Sequence, residues 1–222
     1  MANVLTVDSD RKLLEKYRKI RNDPIEFLKC VRTLDQVDKA NPIKPFPIHL
    51  EYIQAYVRFW QKHRLIAVPK SRRMKMSWTN IALYTWDALF NIGRHHAFVS
   101  KKEDDSDELV KRSDFIVQNL DTSMVPRELI PKTEYTFGKL RIPELKSLIQ
   151  GFASGADQLR QFTFSGILAD EMAFWTDAQA MYSASFPVIE GGGRFTAISS
   201  PGPGFFKDMV LDEFDKVGVE DG

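Results

Sequence analysis

The stretch from Leu65 to Trp78, LIAVPKSRRMKMSW, constrains the fold more than any other part of this chain. Its apolar start, Leu65–Val68, is flanked by charged residues, as in a buried central strand. Pro69 ends that run, and apolar residues at helical spacing follow Ser77. The segment between them, the basic loop, carries Lys70, Arg72, Arg73 and Lys75. A strand, a basic loop and a helix with a hydroxyl residue in its first turn are typical of a phosphate-binding site.

The match to the standard phosphate-loop pattern is incomplete. When Ser77 is placed in the Ser/Thr position of G-x-x-x-x-G-K-S/T, Lys70 and Lys75 occupy the two glycine positions. Met76 then occupies the lysine position. An ordinary basic connection between a strand and a helix fits this segment at least as well, so the choice depends on the rest of the chain.

Two further apolar runs end in polar side chains. Gly166–Glu171 reads GILADE and delivers two adjacent carboxylates, and Phe195–Ser199 leads into Ser199-Ser200-Pro201. With the first run they predict three strands of an open parallel sheet, with the site along its carboxyl edge. In metal-assisted nucleotide hydrolysis one carboxylate holds Mg²⁺ through water and a second polarises the attacking water. Asp170 and Glu171 suit these two roles.

The ordered set of motifs carries a family resemblance. KSRRMKMS, ILADEMAFW and AISSP resemble the Walker A, Walker B and coupling motifs of large terminase subunits, the ATP-driven DNA-packaging motors of tailed bacteriophages. The resemblance runs from about Pro47 to Phe206. It implies an α/β P-loop NTPase, RecA-like and of the additional-strand catalytic-glutamate type, with a mainly parallel sheet and helices on both faces. It also implies that the protein uses ATP and Mg²⁺.

The resemblance assigns roles to individual residues. Glu171 would orient the attacking water, Ser77 would bind the metal directly, and Asp170 would bind it mainly through water. Some family members carry their phosphate-binding lysine at the first position of the loop, where this chain has Lys70, whereas Lys75 in a glycine position departs from the pattern. The implied nucleotide-binding residues are Gln54, Lys70, Ser71, Arg72, Arg73, Met74, Lys75, Met76, Ser77 and Trp78, and Arg72 is also a catalytic candidate. The implied coupling residues are Ser199, Ser200 and Pro201.

Gln54 lies in an amphipathic helix expected over Pro47–His63, directly before the first strand. It resembles the adenine-recognising glutamine of terminases and helicases, because a side-chain amide can both donate to and accept from the adenine edge. An exposed glutamine on a helix surface explains the residue equally well.

Arg160 lies shortly before Asp170, where terminases carry an arginine that acts in trans on a neighbouring subunit. A planar, permanently charged guanidinium suits the charge that develops on the γ-phosphoryl oxygens. The resemblance therefore adds Arg160 to the catalytic candidates as an arginine finger. A surface arginine in a polar loop is the alternative.

The remaining segments predict the outer parts of the fold. We expect a helix from Ser9 or Asp10 to Ile20, and a second helix from Pro24 whose apolar face includes Leu34. An extended linker follows over Lys39–Pro47. Residues 1–45 would form a helical appendage and residues 46–222 the ATPase domain, without the C-terminal nuclease domain of terminases.

Two further predictions concern the edge of the sheet and the turn before one of its strands. Glu134–Phe152 alternates and contains turn residues, which predicts antiparallel strands added to one edge of the sheet. His95 and His96 are expected in the turn before a strand over Ala97–Ser100, with no metal partners at ligand spacing.

Composition limits the possible partners. Lys and Arg number 31 and Asp and Glu 30, so the net charge is +1 and no overall basic field attracts nucleic acid. Any DNA contact must be a local patch, for which Lys101 and Lys102 are candidates. The single cysteine, Cys30, excludes an intramolecular disulfide and fits a reducing compartment. No apolar stretch is long enough to span a membrane.

The sequence thus predicts Mg²⁺-dependent ATP hydrolysis that moves double-stranded DNA into a procapsid. The implied partners are double-stranded DNA, the portal, the small terminase subunit and further copies of this chain in a ring, with no membrane. The implied location is the host cytoplasm, transiently on the procapsid. A helicase-like ATPase core and a nucleotide-binding scaffold without turnover remain alternatives.

Overall fold

The computed structural model describes residues 2–35 and 37–217, and for residues 2–10, 156–157 and 212–217 it describes the backbone only. The helices are α1 (Ala2–Asn22), α2 (Pro24–Cys30), α3 (Glu51–Lys62), α4 (Met76–Phe90), α5 (Glu103–Gln118), α6 (Ala156–Arg160), α7 (Ala178–Glu190) and α8 (Phe205–Val217). The strands are β1 (Arg32–Leu34), β2 (Ile43–Pro45), β3 (Leu65–Pro69), β4 (His95–Ser100), β5 (Glu134–Thr136), β6 (Lys139–Ile142), β7 (Ser147–Ala153), β8 (Gly166–Asp170) and β9 (Arg194–Ser199). Short 3₁₀ turns cover Arg127–Leu129, Pro143–Leu145 and Met172–Phe174.

Seven strands form one sheet in the order β3-β9-β8-β4-β7-β6-β5. The strands from β3 to β7 in this order are parallel, and β6 and β5 are antiparallel at the far edge. The mainly parallel sheet and its antiparallel edge hairpin confirm the predicted fold class. Because β9 lies between β3 and β8, the three strand ends that carry the candidate site lie side by side. In that register Pro69 is opposite Ser199, and Asp170 is opposite Ile198.

Helices cover both faces of the sheet, as predicted. Successive residues of one strand point to opposite faces and belong to different buried clusters. Leu168 of β8 belongs to the cluster that contains residues of α1 to α5, whereas Ile167 and Ala169 belong to the cluster with residues of α6 to α8. Strands buried on both faces have nearly continuous apolar sequences, which is why these runs could be recognised.

The start of α2 confirms its prediction, but the start of α1 does not. Asp23 caps α2 by accepting a hydrogen bond from the backbone N–H of Ile25 at 2.9 Å, and Pro24 occupies the first turn. α1 already runs from Ala2, so the predicted start at Ser9 or Asp10 was wrong. Serine and aspartate favour helix starts but are also tolerated within a helix.

A small antiparallel sheet replaces part of the expected linker. β1 pairs with β2, with Leu34 opposite Ile43. Leu34 therefore lies on a strand and not on the apolar face of a helix, and the segment Lys39–Pro47 contains β2. Strands of three residues show too little periodicity to be recognised, and prolines such as Pro45 argue against a strand interior.

His95 and His96 begin β4, so their placement in a turn was wrong. His96 is buried, its Nε2 lies 3.0 Å from the Asp87 carboxylate, and its ring packs edge-on against Tyr84. Asp87 gives the buried imidazole a charged neighbour at Nε2, whereas Nδ1 has no hydrogen-bond partner among the described residues. A sequence pattern based on apolar residues does not detect such a strand start.

The N-terminal helices share their core with the sheet. Phe27 and Leu28 of α2 belong to the same buried cluster as Leu83 of α4. The division between an appendage and an ATPase domain at residue 45 stays a prediction. Among the described residues, no helix combines the length and apolar character that crossing a lipid bilayer requires.

Candidate active site

The basic loop, Lys70–Lys75, connects the end of β3 with the start of α4. Arg73 and Lys75 both have a left-handed backbone, with φ of 66° and 56°. Glycine adopts this conformation without strain, whereas other residues pay roughly 1–2 kcal/mol. Lys75 occupies a glycine position of the phosphate-loop pattern, so the loop bends here as a glycine would allow. Left-handed residues beside right-handed ones turn successive N–H groups toward one side, which favours anion binding.

Ser77 and Asp170 lie together at the carboxyl edge of the sheet. The Ser77 hydroxyl, in the first turn of α4, donates a hydrogen bond of 3.0 Å to Oδ1 of Asp170 at the end of β8. Asp170 is buried, and this burial raises its pKa above the ordinary value, against the opposing effect of the Ser77 hydrogen bond and the Lys70 charge. A cation beside this carboxylate would relieve the cost of its burial.

The pair of oxygen donors fits a magnesium ion. Mg²⁺ prefers hard oxygen ligands, usually one or two from the protein with the rest from water and phosphate. Among the described residues, no cluster of three or more His, Cys, Asp or Glu side chains could hold a metal by itself. The hydroxyl of Ser77 and the carboxylate of Asp170 therefore suit an ion that also takes ligands from a bound nucleotide.

Glu171, the residue after β8, is held by groups from two other strand ends. Lys70 donates to its Oε1 at 2.5 Å, and the backbone N–H of Ser200 donates to its Oε2 at 2.9 Å. The hydroxyl of Ser199 lies 3.3 Å from the same Oε2. The backbone of Glu171 is left-handed, with φ of 52°. The predicted lysine, catalytic glutamate and coupling serines are thus brought into one hydrogen-bonded group.

The protonation state of Glu171 follows from this group. Partial burial by itself would raise its pKa, but the hydrogen bonds from Lys70 and from the Ser200 N–H outweigh it, and the pKa lies below its ordinary value. The carboxylate is therefore ionised at neutral pH. While Glu171 is paired with Lys70, the ammonium group occupies one of the acceptor sites that a water molecule could use.

A cavity of about 740 Å³ opens beside the basic loop. This volume lies within the range of small-ligand sites. The loop side of the cavity is formed by Lys70, Ser71, Arg73, Met74, Lys75, Met76, Ser77 and Trp78. The other walls are Leu34, Asp35 and Val37 near the β1–β2 hairpin and Glu108, Lys111, Arg112 and Phe115 of α5.

Trp78 joins the loop side of this cavity to α5. Its ring packs edge-on against Phe115, with the centroids 5.9 Å apart. The guanidinium carbon of Arg112 lies 5.6 Å from the centroid of the Trp78 ring. Trp78 was predicted to bind nucleotide, and it lies on the cavity wall next to Ser77.

Three predicted residues lie elsewhere. Gln54 is exposed on α3 and donates through its amide to the backbone carbonyl of Ile48 at 2.9 Å. Arg72 is exposed, and neither it nor Gln54 is among the described residues that line the cavity. Arg160 is exposed at the end of α6. The roles predicted for Gln54, Arg72 and Arg160 stay predictions, and Pro201 is an exposed residue directly after the coupling serines.

Sequence reasoning missed the residues that α3 and α5 contribute. The Tyr52 hydroxyl donates to the backbone carbonyl of Met74 in the basic loop at 3.1 Å. Arg112 and Phe115 form the α5 wall. One signal was present: α5 follows β4, the next parallel strand along the chain, and packs beside α4, so its basic residues could have been considered.

Among the comparisons with known proteins, the one with solved structures bears on the fold. No protein-family model matches the sequence, and no curated protein matches it. The large terminase ATPase domain of Thermus phage P74-26 aligns with a TM-score of 0.50 and 18% identity, over 67% of this chain and 64% of that chain. A mutant of the same domain aligns with a TM-score of 0.52 and 17% identity, over 72% of this chain and 68% of that chain.

The large terminase of the HK97 bacteriophage aligns with a TM-score of 0.61 and 10% identity. The alignment covers 90% of this chain and 42% of that chain, so this chain corresponds to less than half of the HK97 protein. The order of the motifs predicted this likeness: the chain has the P-loop NTPase fold of phage large terminase ATPase domains.

Proposed function

We propose that this protein is a Mg²⁺-dependent ATPase that drives the packaging of double-stranded viral DNA into a procapsid. The observation that carries the proposal is the meeting of Ser77, Asp170, Lys70 and Glu171 at adjacent strand ends, with Lys70 and Ser77 on the wall of a cavity. The likeness of the fold to terminase ATPase domains supports the packaging role.

The basic loop and α4 would bind the phosphate chain. Backbone N–H groups of a phosphate loop and of a helix N-terminus point at the phosphates, and a lysine neutralises their charge. Ser77 and Asp170 would hold the metal, which supplies charge stabilisation on the phosphoryl oxygens when bound. Lys70 would contact the β- and γ-phosphates, with Arg72 close to it.

Glu171 would orient the attacking water and receive its proton. In the structure its Oε1 is paired with Lys70, so Lys70 must leave Glu171 as it turns toward the phosphates. Ser199 and Ser200, which hold the other oxygen of Glu171, would sense the γ-phosphate through this carboxylate. Each bound nucleotide would thereby free the base that activates the attacking water.

The assembly is part of the proposal. Arg160 would act on the nucleotide of a neighbouring copy, so the chain would form a ring of identical subunits on the procapsid. The portal, the small terminase subunit and double-stranded DNA would be the other partners, in the host cytoplasm. Gln54 would recognise adenine, and residues 46–222 would form the motor domain behind the N-terminal appendage.

The test is ATP hydrolysis by the purified chain with and without DNA. Glu171→Gln should keep nucleotide binding and lower hydrolysis by about 10²–10⁴-fold, because the amide keeps the shape but cannot act as a base. Asp170→Asn should weaken Mg²⁺-dependent nucleotide binding as well. Glu144→Gln, at an exposed position in a 3₁₀ turn outside the cavity, is the matched control and should hydrolyse ATP like the wild type.

Equal hydrolysis by wild type and Glu171→Gln would contradict the proposed role of the glutamate. Nucleotide binding without turnover under all conditions, including added DNA and procapsid, would instead favour a nucleotide-binding scaffold.

A further inference from the structure

Arg112 lies over an aromatic ring on the wall of the cavity. It is half-buried, and its guanidinium carbon lies 5.6 Å from the centroid of the Trp78 ring. Within the described part of the chain, no carboxylate lies within 4.0 Å of its guanidinium nitrogens. Lys111, the preceding residue, is by contrast paired with Asp107 at 3.1 Å and with Glu108 at 2.8 Å. The charge of Arg112 is therefore held in place by an aromatic ring without being neutralised by an acid.

The position of Arg112 follows from the residues that hold it. Trp78 directly follows Ser77, and both residues line the cavity together with Arg112. Trp78 is fixed in turn by its edge-on contact with Phe115, one turn further along α5. A guanidinium on an aromatic face gains about 0.5–1 kcal/mol or more from the contact and keeps its N–H donors free for another ligand. Arg112 thus lines the same cavity as Ser77, and it lies close enough to Asp170 for its charge to lower the pKa of that carboxylate, against the larger opposing effect of burial.

The position of Ser77 indicates where the outer phosphates of a bound nucleotide would lie. In a phosphate loop the Ser/Thr hydroxyl binds the metal, and the metal bridges the β- and γ-phosphates. A cation next to Ser77 therefore faces the phosphates where negative charge increases during transfer. A planar guanidinium fork matches phosphate oxygens and binds them with charge-assisted hydrogen bonds.

We propose that Arg112 is a further phosphate-binding residue of this site, which contacts the γ-phosphate of a nucleotide bound to its own chain. This inference rests on the proposed nucleotide-binding function. It gives the site a cation from the same chain at the outer phosphate, separate from the lysine of the basic loop and from Arg160. Lys111 cannot take the role, because both of its carboxylate partners already hold its ammonium group.

The experiment compares the affinities for a non-hydrolysable ATP analogue and for ADP, each titrated with Mg²⁺ in a calorimeter. Arg112→Ala should weaken binding of the analogue by roughly tenfold to a hundredfold, the range expected for lost charged hydrogen bonds. The same variant should change the affinity for ADP by less than about twofold. Arg112→Lys should be intermediate, because lysine keeps the charge without the fork. Arg141→Ala, at an exposed position on β6 that does not line the cavity, is the control and should leave both affinities unchanged.

Each other outcome contradicts the inference. Equal loss of analogue and ADP affinity, or loss of neither, would show that Arg112 does not contact the γ-phosphate. A lower melting temperature with an unchanged ratio of the two affinities would reduce Arg112 to a packing partner of Trp78. Weaker DNA binding with intact nucleotide binding would assign its charge to DNA. If the wild type binds neither nucleotide, the proposed function fails together with this inference, whereas wild-type binding with an unchanged ratio in Arg112→Ala refutes the inference alone.

Discussion

The ion pair between Lys70 and Glu171 permits a direct energetic test in the absence of nucleotide. Its Nζ and Oε1 atoms are 2.5 Å apart, with the lysine side chain 9% exposed and the glutamate 37% exposed. The perturbation is a double-mutant cycle of Lys70→Met, Glu171→Gln and the combination. Glutamine keeps a carbonyl that can accept a hydrogen bond, so the cycle reports mainly the attraction between the two charges.

The expected coupling free energy follows from the exposure of the two partners. Breaking a fully buried pair typically costs about 3–5 kcal/mol, and an exposed pair contributes about 0–1 kcal/mol. Lys70 is buried as in the first kind of pair, whereas Glu171 is partly exposed as in the second, and solvent screens its carboxylate. We therefore expect a coupling of about 1–2 kcal/mol, with the larger single loss for Glu171→Gln. In that variant the buried ammonium loses its charge partner, whereas in Lys70→Met the carboxylate keeps the Ser200 N–H and water.

Urea unfolding of the four proteins at neutral pH measures the coupling. The pair Arg58–Asp23, at 2.9 Å with side chains 50% and 30% exposed, is the matched control and should couple by less than about 1 kcal/mol. The pKa of Glu171 is lowered in the folded protein, so its contribution is present above the ordinary value of 4.5 and is lost as the pH falls through the lowered value. A Lys70–Glu171 coupling below about 0.5 kcal/mol at neutral pH, or one that grows on acidification, would refute this reasoning.

The remaining predictions concern the lysines of the basic loop and the arginine finger. Lys70→Ala should abolish hydrolysis and most Mg²⁺-ATP binding, whereas Lys75→Ala should keep binding. Lys75→Gly should tighten binding, because it removes a side chain at positive φ. If titration shows that Lys75→Ala loses affinity and Lys70→Ala does not, Lys75 is the phosphate ligand. Arg160→Ala should leave ATP affinity nearly unchanged and remove the rise of specific activity with protein concentration. An arginine finger contributes a factor of roughly 10³–10⁵ to the rate. If Arg160→Ala lowers the rate of hydrolysis by less than about threefold under assembled conditions, Arg160 is a surface residue without a catalytic role.

The sequence predicted the parts of the fold that depend on long apolar runs. β8 and β9 are buried on both faces, and their runs could be read directly, together with the polar residue at each carboxyl end. β3 was also found from its apolar run, but its prediction as a buried central strand was wrong, because β3 is the edge strand of the sheet and Leu65 is 46% exposed. The side-by-side placement of Ser77, Asp170 and Glu171 then followed from the rule for parallel sheets. The antiparallel edge was also predicted, because alternation and turn residues mark it.

Other features depend on contacts between distant residues and could not be predicted. The pairing of Lys70 with Glu171 joins positions far apart in the chain, and no local pattern specifies that a lysine binds a carboxylate rather than a phosphate. The placement of Arg112 over Trp78 requires the packing of α5 beside α4. The β1–β2 hairpin was missed because its strands are too short to show a period.

The position of β9 in the sheet has a consequence for the order in which the molecule forms. β3 pairs with β9, and it is β9 that joins β3 to β8 and the rest of the sheet. Because a ribosome synthesises the chain from its N-terminus, the basic loop emerges long before β9, the strand that holds β3 in the sheet. Until residues 194–199 are made, β3 has no neighbour in this sheet, and Ser77 and Asp170 are held on separate parts of the chain. The nucleotide site is therefore completed only after β9 is made, when this strand enters between the two that carry its phosphate-binding and acidic residues.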